Sequence, residues 1–103
     1  MYAEDFGKKA IAAIGNRAAE RDRGAERSMA RTVQTFNSLT GKNLTEREGW
    51  VFMVLLKLAR AEAGNFREDD YIDCAAYAML AGECASSPDD FVDENIELVG
   101  RVA

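Results

Sequence analysis

Two short patterns in the chain carry residue types able to do chemistry, Lys57-x-x-Arg60 and Asp70-x-x-Asp73. Residues three apart on a helix share one face, so each pattern sets two like charges side by side. The patterns flank a break at Gly64-Asn65. Two antiparallel helices turning there bring Arg60 level with Asp70 and Lys57 level with Asp73. Tyr77 extends the acidic stripe by a turn, and Met53 and Trp50 extend the basic one. Two readings follow. In the first, the pairs are salt bridges that fix the register of a helical hairpin; desolvation offsets much of their attraction, so specificity is the larger effect. In the second, the stripe lines a pocket where Lys57 and Arg60 take a phosphate and the aspartates hold a metal or a hydroxyl.

A second cationic candidate lies upstream. Arg17, Arg21, Arg23, Arg27 and Arg31 are interleaved with Glu20, Asp22 and Glu26. Spacings of four put Arg23, Arg27 and Arg31 on a shared helix face, and guanidinium groups bind phosphate through two parallel hydrogen bonds. The alternative is a solvated helix face laced with local ion pairs.

Several other chemistries lack their parts. The chain has no histidine and two cysteines, Cys74 and Cys84. A zinc centre or a Cys–His nucleophile therefore has no partner set. The cysteines fall ten apart on one predicted helix, roughly 15 Å of rise. A disulfide needs Cα atoms within about 7 Å, so the two read as buried free thiols. Gly41-Lys42 lacks the first glycine and the preceding strand of a phosphate-binding loop.

The elements that must position the stripe can be read from capping and periodicity. Thr45-Glu46-Arg47-Glu48 fits a capping box, Lys57 to Ala63 is rich in helix formers, and Gly64 is a natural stop. This predicts a helix over 46–63. Its middle, Trp50 to Leu56, is apolar without a break, which marks it as the buried centre of a helical domain. Seven apolar residues are far short of the roughly 20 that cross a bilayer. The next helix runs over 69–85, with acidic residues at its positive end and Ile72, Ala75, Ala76, Met79 and Leu80 on its apolar side. A helix over 25–40 buries Met29, Val33, Phe36 and Leu39 and turns Asn37 outward. A first helix over 3–23 has a moderate stripe of Phe6, Ala10, Ala13, Ile14 and Ala18, weakened by Gly7 and Gly15, and is short, broken or settled on a partner. Ser87-Pro88-Asp89-Asp90 starts a last amphipathic helix over 88–101, bearing Phe91, Val92, Ile96 and Val99.

The expected class is all-α: an antiparallel bundle of four to five helices in a single domain, 1–103, with its core in 25–85. At 103 residues it is small enough to gain from assembly. The net charge of −5 is unevenly spread. Residues 1–60 hold 11 basic and 7 acidic side chains, and residues 61–103 hold 2 and 11. That division predicts packing of one half on the other, within the chain or between copies in a homo-oligomer, and the acidic half would repel a nucleic acid duplex. The acidic start, Met1-Tyr2-Ala3-Glu4-Asp5, is unlike a secretory leader, so a cytoplasmic protein without membrane association is expected.

Four segments together resemble a known group. Glu26 to Arg31, Leu44 to Trp50, Leu55 to Arg60, and Asp69 to Tyr77 look like a family of small helical phage and prophage proteins of unknown function. The resemblance spans about 17–84 and is most specific in the Lys-x-x-Arg and Asp-x-x-Asp-x-x-x-Tyr segments. That family is in turn similar to MazG-like all-α nucleotide pyrophosphohydrolases, which bind magnesium between Glu-x-x-Glu and Glu-x-x-Asp helices and form dimers or tetramers. Asp70-x-x-Asp73 stands where one acidic half would lie, whereas Lys57 and Arg60 replace the other. The resemblance thus implies a phage- or prophage-type accessory protein that binds a small phosphorylated, nucleotide-like ligand without turnover and without a cofactor, in the host cytoplasm. Sequestration of a nucleotide signal used in host defence would suit it. The expected ligand residues are Lys57, Arg60, Asp70, Asp73 and Tyr77, with Arg27 and Arg31 as the second set. The alternative is a magnesium-dependent pyrophosphohydrolase using Glu62, Asp69, Asp70 and Asp73. A third reading is a protein–protein adaptor acting through the acidic C-terminal helix.

Overall fold

The computed structural model describes residues 1–20 and 28–86. They form four helices: α1 (Ala3–Glu20), α2 (Met29–Thr40), α3 (Glu46–Ala63) and α4 (Glu68–Ser86). Among the described residues there is no strand, and the all-α expectation holds. Residues 21–27 and the predicted helix over 88–101 lie outside the described residues.

The start of α3 is fixed as its sequence requires. The Thr45 hydroxyl accepts from the Glu48 amide at 3.1 Å, and the Thr45 amide donates to Glu48 Oε1 at 2.9 Å. Two amides that the first helical turn leaves unpaired are thereby satisfied. The turn before it is closed from α2. Gly41 takes a left-handed φ of 75° and donates its amide to the Asn37 carbonyl at 2.9 Å. The Asn37 side chain then clamps Leu44 through both of its polar atoms, at 2.9 and 3.0 Å.

That clamp corrects the predicted face of α2. Val33 is buried, and Met29 and Asn37 are half-buried one turn to either side, whereas Phe36 and Leu39 lie exposed. An asparagine that holds a loop's backbone is drawn inward for its hydrogen bonds, which carries Phe36 and Leu39 outward. α2 meets α3 at Gly49, which is buried. A Cβ there would overlap Met29 Sδ and lie 2.9 Å from Val33 Cγ2, so glycine is what lets the two helices approach.

The helices stand in the order α2, α3, α4, α1, with α3 and α4 sharing the largest contact. α1 is continuous through Gly7 and Gly15 and packs on the first half of α4. Ala10, Ile72 and Ala76 are buried together there, with Phe6, Ile14 and Ala75 against them. Lys9 reaches Glu68 at 3.3 Å, and Phe6 meets the edge of the Tyr71 ring. The first helix is therefore settled on its own chain.

The central position of α3 needs a second correction. Trp50, Met53, Val54 and Lys57 are half-buried, but Phe52, Leu55, Leu56 and Leu58 are exposed on the opposite arc. Among the described residues neighbours cover one side of this helix only, and so they do not use up its all-round apolar character. Met79 of α4 is likewise exposed.

Glycine positions give opposite expected outcomes. Gly49→Ala should lower stability by about 1–3 kcal/mol through overpacking at the α2–α3 contact. Gly7→Ala meets nothing within 4 Å and should raise stability by up to about 1 kcal/mol. Chemical denaturation of the two variants checks both signs; a neutral Gly49→Ala would refute the close approach.

Candidate functional site

The polar stripe forms between α3 and α4 as three successive rungs. Lys57 Nζ lies 2.9 Å from Asp73 Oδ2. Arg60 Nε lies 3.9 Å from Asp70 Oδ1, at the outer limit of an ion pair. Trp50 stacks on Tyr77 with ring centroids 5.6 Å apart and planes inclined by 25°. The three rungs run in opposite directions along the two helices, which is the antiparallel register expected from the spacing.

The rungs differ in how far water reaches them. The Lys57 and Asp73 side chains are mostly covered, and the Arg60 side chain remains half open. Asp70 is 3% exposed, the most deeply buried charged residue described. Its position in the first turn of α4 makes that burial tolerable. The positive end of the helix dipole and the guanidinium of Arg60 both favour a carboxylate there.

One polar atom in the stripe is left over. Trp50 Nε1 is buried and has no acceptor among the described residues. Leaving such a donor unpaired costs about 1–3 kcal/mol. The stripe thus holds an ammonium, a half-open guanidinium and an unpaired indole N–H on one face of α3.

The other predicted residues are placed elsewhere. Arg31 is exposed on α2, and Arg27 lies outside the described residues. Asp69 and Glu62 are both exposed. Glu62 follows Lys57 by five positions, which rotates it by about 140° around α3 and away from the stripe. It is therefore not brought together with Asp70 and Asp73. Among the described residues no three Asp, Glu or Cys side chains converge in a way that could hold a metal ion. Magnesium also fits the remaining pair poorly, because Lys57 already engages Asp73, and a hard cation needs that oxygen.

Cys74 and Cys84 form no disulfide, and both are half-buried. Burial pushes the Cys74 thiol up, which keeps it protonated and unreactive at neutral pH.

Sequence reasoning did not find the contacts made by α1. The Lys9–Glu68 pair and the Phe6–Tyr71–Phe66 series of rings join segments far apart in the chain. No spacing rule links them. The unpaired indole was within reach of it, since Trp50 sits on the predicted stripe, but the lack of an acceptor is a fact of packing.

A double-mutant cycle tests the covered rung. Lys57→Met and Asp73→Leu should each cost about 1–3 kcal/mol by removing one partner of a mostly covered ion pair. The combined variant should cost less than either, as read by urea denaturation. Strict additivity would show that the two charges do not interact.

Residues 8–85 match a family described as Domain of unknown function (DUF6378). No curated protein and no solved structure matches the chain.

Proposed function

This chain belongs to the DUF6378 family, and from that footing we propose that it binds a small phosphorylated, nucleotide-like ligand at the α3–α4 stripe without hydrolysing it. The observation that carries this reading is the joint placement of Lys57, half-open Arg60 and the unpaired Trp50 indole N–H on one helix face. An ammonium has three protons, and Asp73 takes one direction. A phosphate oxygen bridging the remaining Lys57 protons and Arg60 would leave both aspartates paired. The indole N–H is a further donor for a ligand oxygen or ring nitrogen. Binding of this kind gives the indole N–H an acceptor that it lacks among the described residues, and so it need not break the rungs.

Turnover is the weaker reading. A magnesium-dependent pyrophosphohydrolase would draw on Glu62, which faces away from the stripe, and would require Lys57 to leave Asp73. Binding without chemistry suits an accessory protein of phage or prophage type. In the host cytoplasm such a protein would hold a nucleotide signal away from its receptor, working as a homo-oligomer. The resemblance of Asp70-x-x-Asp73 to one acidic half of the MazG-like site, with the cations Lys57 and Arg60 replacing the other half, supports a phosphorylated ligand held without turnover. The described part of the chain has no helix long and apolar enough to cross a membrane.

The test is a thermal-shift screen of nucleoside phosphates and cyclic nucleotides, with and without magnesium, followed by product analysis. A ligand at 100 times its Kd should stabilise the chain by about 2.7 kcal/mol. The expected result is stabilisation without magnesium and without product. Arg60→Ala and the Lys57→Met/Asp73→Leu pair should both abolish it. Retained binding in the double variant removes the stripe from the site, and magnesium-dependent release of pyrophosphate refutes the non-hydrolytic reading.

A further inference from the structure

The outer arc of α3 carries an apolar surface that the described chain leaves open. Phe52 is 66% exposed and Leu55 is 56% exposed, and Leu56 and Leu58 are open beside them. Ala59 and Ala63 continue the same arc, also exposed. On the opposite arc the helix meets α4, and α2 meets it at Gly49 along the edge of the open surface. α2 borders the open surface through Gly49, which precedes Leu56 by two helical turns, and α2 itself holds exposed Phe36 and Leu39.

The size of this surface is the first argument. Side chains of these types at these exposures present roughly 350 Å² of apolar area on α3. Exposed Phe36 and Leu39 bring the open apolar area of α2 and α3 together to the order of 550 Å². A standard interface buries about 800 Å² per partner, somewhat more than half of it apolar. The area matches one side of a stable pair of chains.

The pattern along the helix is the second argument. Phe52, Leu55 and Ala59 follow steps of three and four, the spacing of a helix seam, and the seam is closed at both ends by charge, Glu48 and Glu62. In an antiparallel crossing that sets Phe52 level with Ala59 of a second copy, Leu55 falls level with Leu56 of that copy. The largest residue of the seam then meets the smallest, which is how facing layers interlock. Glu48 falls level with Ala63 of the second copy and Glu62 with its Gly49, one residue from its Glu48, so the carboxylates of the two copies meet only at the exposed ends of the contact. This register satisfies shape at the centre of the seam, and it is symmetric, as a two-fold pair of identical chains requires.

We propose that the outer arc of α3 is the two-fold interface of a homodimer, with Phe52 and Leu55 at its centre packing antiparallel against Ala59 and Leu56 of a second copy. This deepens the oligomer reading given above and is independent of the ligand. Ligand affinity and molecular mass are separate readouts, so failure of one is distinguishable from failure of the other.

The experiment is sedimentation equilibrium of the full chain and of Leu55→Glu, with circular dichroism to check folding. The wild type should have twice the chain mass at micromolar concentration, and its melting temperature should rise with protein concentration, as mass action requires. Leu55→Glu should be a helical monomer. If that variant fails to fold, Leu55→Cys in a chain with Cys74→Ser and Cys84→Ser gives the second reading. Oxidation should link it across the axis into a covalent dimer in high yield, while the same substitution at exposed Tyr2 should not. A wild-type monomer, a Leu55→Glu dimer of undiminished affinity, or absence of cross-linking would each overturn the proposal. A chain ending at Ser86 separates the other occupant. If the wild type is monomeric and the shortened chain dimerises, residues 87–103 cover the surface and the proposal is wrong.

Discussion

The register between α3 and α4 is the constraint on which the rest of the structure depends. α3 and α4 share the largest contact of the fold, and the alanines of α4 would by themselves let the two helices slide. Charge prevents that. A shift of one turn would break both pairs and could re-form only one, Lys57 with Asp70 or Arg60 with Asp73. Net stabilisation from such pairs is small, but the penalty for mispairing is large. α1 then docks on a surface whose position is already set, through Ala10 against Ile72 and Ala76.

The same helix serves two purposes on two arcs. Towards α4 it presents Trp50, Lys57 and Arg60, a polar and aromatic face. Away from α4 it presents Phe52, Leu55 and Leu56, a purely apolar one. A helix that is apolar most of the way round is stable only where it is covered most of the way round. The described residues cover half. The small buried core described here, with Val33, Ile72 and Leu80 its largest members, is consistent with a protein that completes its core by association.

Local chemistry in this chain was legible residue by residue. The capping box at Thr45–Glu48 and the bounds 46–63 follow from side-chain types a few positions apart, as does the level pairing of Lys57 with Asp73. Where the reading departed from the structure, a tertiary demand had overridden a local pattern. Phe36 and Leu39 have the spacing of a buried stripe, yet Asn37 turns inward to hold the Leu44 backbone. Gly7 and Gly15 weaken α1 in isolation, yet packing on α4 keeps it continuous. The run from Trp50 to Leu56 announces burial without saying by what. Of the candidate site, Lys57, Arg60, Asp70, Asp73 and Tyr77 come together as their spacing implies. Glu62 does not, because five residues along a helix is the wrong angle.

Both arcs of α3 are tested at once by following backbone amide hydrogen exchange as protein concentration is raised. Amides in the middle of α3 should be among the slowest in the chain, and those of Phe52 to Leu56 should slow further as dimer forms. Amides of α1 and α2 should change less. Fast exchange in the middle of α3 at every concentration, with the slowest amides in another helix, would contradict its place at the centre of the fold.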